Sequence, residues 1–317
     1  MGDLNGDGKP DLAVVNYSSN TVSVYRNTSM SGSIGSGSFA TKVDFSTGTQ
    51  PISVAIGDLN GDGKPELAVA NYGSATVSAF RNTATPGSIN TGSFTAKVDF
   101  ITGSFPISVA IGDLDRDGKP ELAVANLISN TVSVIRNLSM SGSINLGSFA
   151  AKVDFPPGTN PYSVALGDLD GDGKPELAVA NYGSNTVSVF RNTATSGSIN
   201  AGSFAAKVDF TTGTQPFSVA IGDLDGDGKP ELAVANSISN TVSVLRNRDI
   251  VIRITNGAWN NPSTWNVNRI PLSSESVIID QNHTVDITTA VSAKAIEYKN
   301  NAKLSLTNAS AKLNIGL

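Results

Sequence analysis

One stretch constrains the chain more than any other: GDLNGDGKPDLAV, Gly2 to Val14, which returns in near-copies beginning at Gly57, Gly112, Gly167 and Gly222. The interval is 55 residues every time. A sequence with such a period folds as equivalent units packed one on the next, each burying its neighbour's apolar face. Aligned on the loop, the units share PISVAIGD, the acidic loop, ELAVAN, a short turn, TVSVFRN, a Gly/Ser-rich linker and GSFAAKVDF. Each apolar segment is short, rich in β-branched residues and bounded by turn formers, which predicts four strands per unit. SVAI and LAVA are apolar on both faces and suit inner strands, whereas TVSV and AAKVDF alternate as outer strands do. No stretch carries a 3.6-residue apolar period.

Four-stranded units at this spacing predict an all-β chain, a β-propeller of five blades over residues 1–255. Met1 aligns with Ile56, Ile111, Leu166 and Ile221, so the first unit lacks nearly all of its inner strand. In the fifth unit, RDIVIRIT (Arg248 to Thr255) stands where the fourth strand is expected. The blade count and the missing strand leave ring closure open and read as a piece of a longer secreted chain, with no leader among these residues. The repeat stops near Asn256, and residues 256–317 are expected to form a separate β-rich segment, itself cut short.

Within the loop, Asp3, Asn5 and Asp7 set oxygen-bearing side chains at alternate positions one, three and five. Gly8 supplies a sharp turn at position six. Lys9 precedes a proline and is steered away from the helical region, which makes its carbonyl a candidate position-seven ligand. Asp11 brings a carboxylate at position nine. Together with water these oxygens suit the six to eight ligands of a calcium ion. Oxygen donors without His or Cys argue against zinc, copper or iron. Position twelve is Val14 and a strand follows, which excludes an EF-hand.

Units such as PFSVAIGDLDGDGKPELAVANSISNTVSVLRN (Pro216 to Asn247) resemble FG-GAP/VCBS repeats, the blades of integrin-α-like propellers. That resemblance implies calcium between the first two strands of each blade. The matching ligands are Asp58, Asn60, Asp62, Lys64 and Glu66, and in the third unit Asp113, Asp115, Asp117, Lys119 and Glu121. In the fourth they are Asp168, Asp170, Asp172, Lys174 and Glu176, and in the fifth Asp223, Asp225, Asp227, Lys229 and Glu231. Arg116 replaces a loop glycine, and Glu replaces Asp at position nine in four units, leaving direct or water-mediated ligation open there. Residues 256–317 resemble the opening of right-handed β-solenoid modules of bacterial surface proteins, on the strength of the GAWNNPSTW pattern.

Charge follows the loops. They hold 18 of the 27 acidic residues, and the net charge is −5. One calcium per loop would bring it to +5. Basic residues are scattered, unlike a nucleic-acid surface, and no apolar run reaches membrane-spanning length. Cysteine is absent, which removes disulfides and thiolate chemistry.

Other candidates are weaker. Tyr17, Tyr72 and Tyr182 could form a sugar-stacking platform, but Leu127 and Ser237 break the pattern and favour packing. Asn16, Asn71, Asn126, Asn181 and Asn236 end the second strand and read as turn amides. His283, the one imidazole, is expected at an exposed strand or turn without a catalytic role. Trp259 and Trp265 either bind carbohydrate or cap a core. The expected function is a non-enzymatic, calcium-stabilised structural or adhesive module, secreted or on a cell surface, with a protein or glycan ligand and neither nucleic acid nor membrane insertion. The rivals are a glycan-binding lectin and an accessory domain of a polysaccharide-active enzyme.

Overall fold

The structure is a computed structural model that describes residues 1–247, 250–252, 257–265, 276–279, 284–287, 290–293, 295–298, 303–306 and 312–315. It divides into Met1–Leu245 and Arg246–Leu317. His283 and the expected boundary at Asn256 lie outside the described residues.

The first unit is five antiparallel sheets. Sheet one is β1 (Leu12–Asn16), β2 (Thr21–Tyr25) and β3 (Val43–Ser46). Sheet two is β4 (Pro51–Gly57), β5 (Glu66–Asn71), β6 (Thr76–Phe80) and β7 (Val98–Ile101). Sheet three is β8 (Pro106–Gly112), β9 (Glu121–Asn126), β10 (Thr131–Ile135) and β11 (Val153–Phe155). Sheet four is β12 (Pro161–Gly167), β13 (Glu176–Asn181), β14 (Thr186–Phe190) and β15 (Val208–Thr211). Sheet five is β16 (Pro216–Gly222), β17 (Glu231–Asn236) and β18 (Thr241–Leu245). These are propeller-type blades, three of them complete. Sheet one lacks the inner strand its sequence lacks, and only an isolated bridge from Gly2 to Asp11 marks its place.

The ELAVAN strands are buried along their whole length in sheets two, three and four, as a strand covered on both faces must be. The loop closes the inner pair at the same register in each complete blade, with Gly57 opposite Glu66 and Gly112 opposite Glu121. Neighbouring sheets interlock through one recurring set of apolar contacts. Leu4, Val22, Val24 and Phe45 of the first blade meet Leu67, Val69, Phe80 and Phe94 of the second. The same edge-on phenylalanine pair returns as Phe45–Phe94, Phe100–Phe149 and Phe155–Phe204, with ring centroids 5.1, 4.8 and 4.9 Å apart. Each such side chain contributes about 1.5–3 kcal/mol by leaving water.

A polar chain crosses each complete blade. Asn126 donates to the hydroxyl of Ser133 at 2.9 Å, Ser133 donates to Asp154 at 2.6 Å, and Lys152 pairs with Asp154. The sets Asn71–Ser78–Asp99–Lys97 and Asn181–Ser188–Asp209–Lys207 repeat it. The strand-ending asparagines are thus more than turn amides: from two strands away from the lysine, they satisfy the buried serine of the strand between.

The fifth sheet departs from expectation. The described part of the Arg248–Thr255 segment, β19 (Ile250–Ile252), pairs in parallel with a later strand instead of adding to the fifth sheet. Apolar alternation marks a strand without naming its partner. Among the described residues β18 is the last strand of its sheet and no further blade packs on that sheet's face, so Leu224, Val242 and Val244 are 58, 65 and 57% exposed, where Leu114, Val132 and Val134, covered by the fourth blade, are 0%.

Beyond β19 the second unit contains β20 (Gly257–Ala258), β21 (Ser276–Ile279), β22 (Thr284–Ile287), β23 (Ala290–Ala293), β24 (Ala295–Tyr298), β25 (Lys303–Leu306) and β26 (Lys312–Ile315). They form three parallel ladders, β19-β21-β24, β20-β22-β25 and β23-β26, the arrangement of stacked solenoid rungs. Trp259 and Trp265 are 1 and 0% exposed and pack edge-on at 5.1 Å. The Trp265 indole N–H donates to the Trp259 carbonyl at 2.9 Å. They cap the core, which leaves no face for a sugar.

Candidate metal centre

In blades two to five the acidic loop joins the first two strands, in the first blade it leads into β1, and the loops wind on their own carboxylates. In the second blade, Asp58 accepts the N–H of Gly61 at 2.7 Å on one oxygen and of Gly63 at 2.9 Å on the other. Asn60 accepts from Asp62, and Asp62 from Lys64, both at 3.0 Å. The fourth blade repeats the pattern at Asp168, Asp170 and Asp172. Gly63 sits at φ +83°, where a Cβ is disfavoured. In the first blade Asp3, Asn5 and Asp7 accept the N–H groups of Asp7, Gly8 and Lys9 in the same way.

This winding leaves one carboxylate oxygen of each of Asp7, Asp62, Asp115, Asp117, Asp170 and Asp172 without a backbone donor. Asp113, Asp115 and Glu121 each bring one oxygen within 4.8 Å of the others. Asp168, Asp170 and Glu176 do the same, as do Asp223, Asp225 and Glu231. Positions one, three and nine are therefore drawn together in blades three to five. Asp117, Asp172 and Asp227 stand outside these triads. In blades one and two, Asn5 and Asn60 place an amide at position three. The position-seven lysines turn their amines away: Lys9 donates to the Ser29 carbonyl at 2.8 Å, Lys64 to Ala84 and Lys174 to Ala194 at 3.0 Å. The Lys119 and Lys229 equivalents hold the same register.

Position nine has a second task. Glu66 accepts the N–H of Leu59 at 2.8 Å on one oxygen and of Asn82 at 3.2 Å on the other. Asp11, Glu121 and Glu176 repeat this grip on both sides. The carboxylate staples the loop to the end of the third strand, and a cation would use its remaining lone pairs. Burial is nearly complete and pushes the carboxyls of Glu66 and Glu121 up to about 7. Asp11, Asp115 and Glu176 are raised for the same reason, burial first, with neighbouring aspartates adding to it. Burial disfavours the charged form of these groups, and a bound cation would offset that cost. The donor set is hard oxygen throughout, which fits calcium in character.

The loops also lie at the junctions between blades, which the spacing alone did not reveal. Asn82 donates its amide to the carbonyl of Leu4 in the preceding blade at 2.8 Å and to that of Pro65 in its own at 2.8 Å. Asn137 does so to Leu59 and Pro120, and Asn192 to Leu114 and Pro175. Linker groups join them: Gly87 N–H donates to Asn5 O at 3.0 Å and Gly142 N–H to Asn60 O at 3.1 Å. The signal was available, since an Arg-Asn pair closes the third strand of every unit at Asn27, Asn82, Asn137, Asn192 and Asn247.

The aromatic residues pack largely against one another. Tyr72 lies 4.5 Å from Phe105 and 6.4 Å from Tyr17, and Tyr162 lies 5.6 Å from Tyr182 and 4.1 Å from Phe217.

With this geometry in view, comparison with known proteins adds the following. The model of the FG-GAP-like repeat matches four times, over residues 3–69, 58–124, 124–179 and 168–234. No curated protein matches the sequence. Among solved structures, a candidate 6-phosphogluconolactonase from Bacteroides fragilis NCTC 9343 is 18% identical with a TM-score of 0.52, over 75% of this chain and 64% of that one. A second, from Bacteroides uniformis ATCC 8492, is 17% identical with a TM-score of 0.50 over the same shares. At such identity the likeness is one of fold alone, and this chain spans less than two thirds of either.

Proposed function

The chain belongs to the FG-GAP-like repeat family, and from that premise we propose that it is a calcium-braced, non-enzymatic structural or adhesive module of a secreted or cell-surface protein. One observation carries the reading: the same oxygen-only loop recurs in every blade, and in the first three it is bridged to the next blade. A cation seated there would tie the first two strands of a blade together and, through the asparagine bridges, steady the next blade.

Asp, Asn and Glu side chains at positions one, three, five and nine would hold the ion, with the position-seven lysine carbonyl and water. Bound calcium supplies charge neutralisation and nothing chemically reactive. Extracellular modules bind at about 10⁻⁴–10⁻³ M, so the loops would fill outside a cell. Identical loops on five blades suit scaffolding better than catalysis, which needs one distinct site. Thermal melting in calcium and in excess EDTA tests the proposal. Ligand linkage raises the melting temperature in calcium, and an unchanged melt would sink the reading.

A second reading, glycan binding, draws on Tyr17, Phe105 and Phe217, which are 43, 38 and 47% exposed. A depression of about 370 Å³ is lined by Tyr17, Ser18, Asn20, Thr49, Gln50 and Gly73. Rings beside amides and hydroxyls suit a sugar. Glycan-array binding that disappears in a Tyr72→Ala, Tyr182→Ala double variant would favour it.

A further inference from the structure

In the third loop an arginine side chain engages the acids. Arg136, at the end of β10, reaches back across its own blade and donates Nε to Asp115 Oδ2 at 3.0 Å and Nη2 to Asp117 Oδ2 at 3.1 Å. These are the two oxygens that the loop's own winding leaves open, because Asp115 Oδ1 and Asp117 Oδ1 accept the N–H groups of Asp117 and Lys119. Asp115 has a fully buried side chain, and those of Asp117 and Arg136 are 16 and 27% exposed. A forked, charge-assisted pair in that setting is a strong and directional contact.

The equivalent arginines behave otherwise. Arg26 donates to the Gly87 carbonyl of the next linker at 3.1 Å. Arg81 leaves its buried Nε without a partner, and Arg191 is exposed. Among the described residues, no side chain donates to the open oxygens of Asp7, Asp62 or Asp172.

We propose that Arg136 is a tethered counter-cation that competes with calcium for the third loop, so that the middle blade is held together by its own guanidinium when calcium is scarce. The inference rests on the calcium reading above but goes beyond it: it makes the loops unequal, although their spacing is the same. Arg136 acts here as a positioning residue, neutralising Asp115 and Asp117 and keeping the loop wound. Calcium must displace it, at a cost in affinity to this loop. Among the described residues, the loops of the first, second and fourth blades carry no such substitute and depend on the ion.

The test is calorimetric titration of the full chain with calcium chloride, wild type against Arg136→Gln and Arg136→Lys. Arg136→Gln is expected to strengthen one site about tenfold, the scale of one lost charge-assisted contact, and to leave the others where they were. Asp117→Asn in that background should abolish the strengthened site and so assign it to the third loop. Arg136→Lys, which keeps the charge and loses the fork, should lie between. In EDTA, where a merely structural role and the proposed one coincide, Arg136→Gln should melt below wild type. Unchanged or weakened calcium affinity in Arg136→Gln overturns the inference while leaving the calcium reading intact. No calcium binding to the wild type or either variant up to about 10 mM, beyond the extracellular range, overturns both.

Discussion

The side-chain amide of Asn82 donates to the backbone carbonyl of Leu4, 2.8 Å away and 78 residues earlier in the chain. Leu4 lies inside the first acidic loop and Asn82 at the end of the third strand of the second blade. One hydrogen bond thus links the loop of one blade to the framework of the next, and Asn137 and Asn192 repeat it. Whatever stiffens a loop therefore also stiffens a junction.

Replacing Asn137 with alanine removes the amide that bridges the carbonyls of Leu59 and Pro120, leaving Pro120 without this donor and Leu59 with the Ser139 hydroxyl alone. The expected cost is about 2–3 kcal/mol of unfolding free energy, measured by urea denaturation. The loss should be larger than for Asn27→Ala, where the amide reaches only Pro10 of its own blade, at 2.9 Å.

The raised carboxyls set a pH dependence. Glu66 and Glu121 sit near 7 in the folded chain and ordinarily near 4.5, so the folded state holds more protons between those values. Stability in EDTA is then fully present below about 4.5 from this source and falls as pH rises toward 7. Melting curves in EDTA at pH 5 and pH 8 should show the lower temperature at pH 8, and Glu66→Gln should flatten the difference. A rise in melting temperature over that interval, in wild type, would contradict the assignment.

Leu114 and Leu224 occupy the same place in the repeat but not the same surroundings, at 0 and 58% exposure. Leu114→Ala should cost about 2–5 kcal/mol, whereas Leu224→Ala should change stability by about 0.5 kcal/mol or less. Equal effects in chemical denaturation would mean that the fifth blade is covered as the third is.

At Gly63 an added Cβ would meet no atom within 4 Å, yet φ is +83°. Gly63→Ala should therefore act through the backbone alone, with a cost of about 1–2 kcal/mol. Calcium titration should show weaker binding at a single site.

The blades and the loops were legible because both are local: strand alternation and ligand spacing are written within a few residues. The polar chain from Asn71 through Ser78 to Asp99 and Lys97 was not, although all four residues return every period, because their meeting depends on the pairing of three strands. The junction asparagines escaped for the same reason. The fifth blade's outer strand was misjudged: Ile250–Ile252 has a strand's composition, and nothing in it says whether its partner runs parallel or antiparallel. Arg136 was invisible because every unit has an arginine there, and the sequence does not say that its side chain turns onto the acids while those of Arg26, Arg81 and Arg191 do not. Trp259 and Trp265 were left between two roles, and only their burial and the indole hydrogen bond decided it.

The sameness of the junctions bears on how such a chain can vary in length. Excising 55 residues brings an asparagine of one blade over the loop of another that offers it the same carbonyl, so a whole period can be lost or gained with every seam still matched. Any other excision slides the asparagine off its acceptor. Genetic change in this region should therefore be tolerated in whole-period steps and selected against in between.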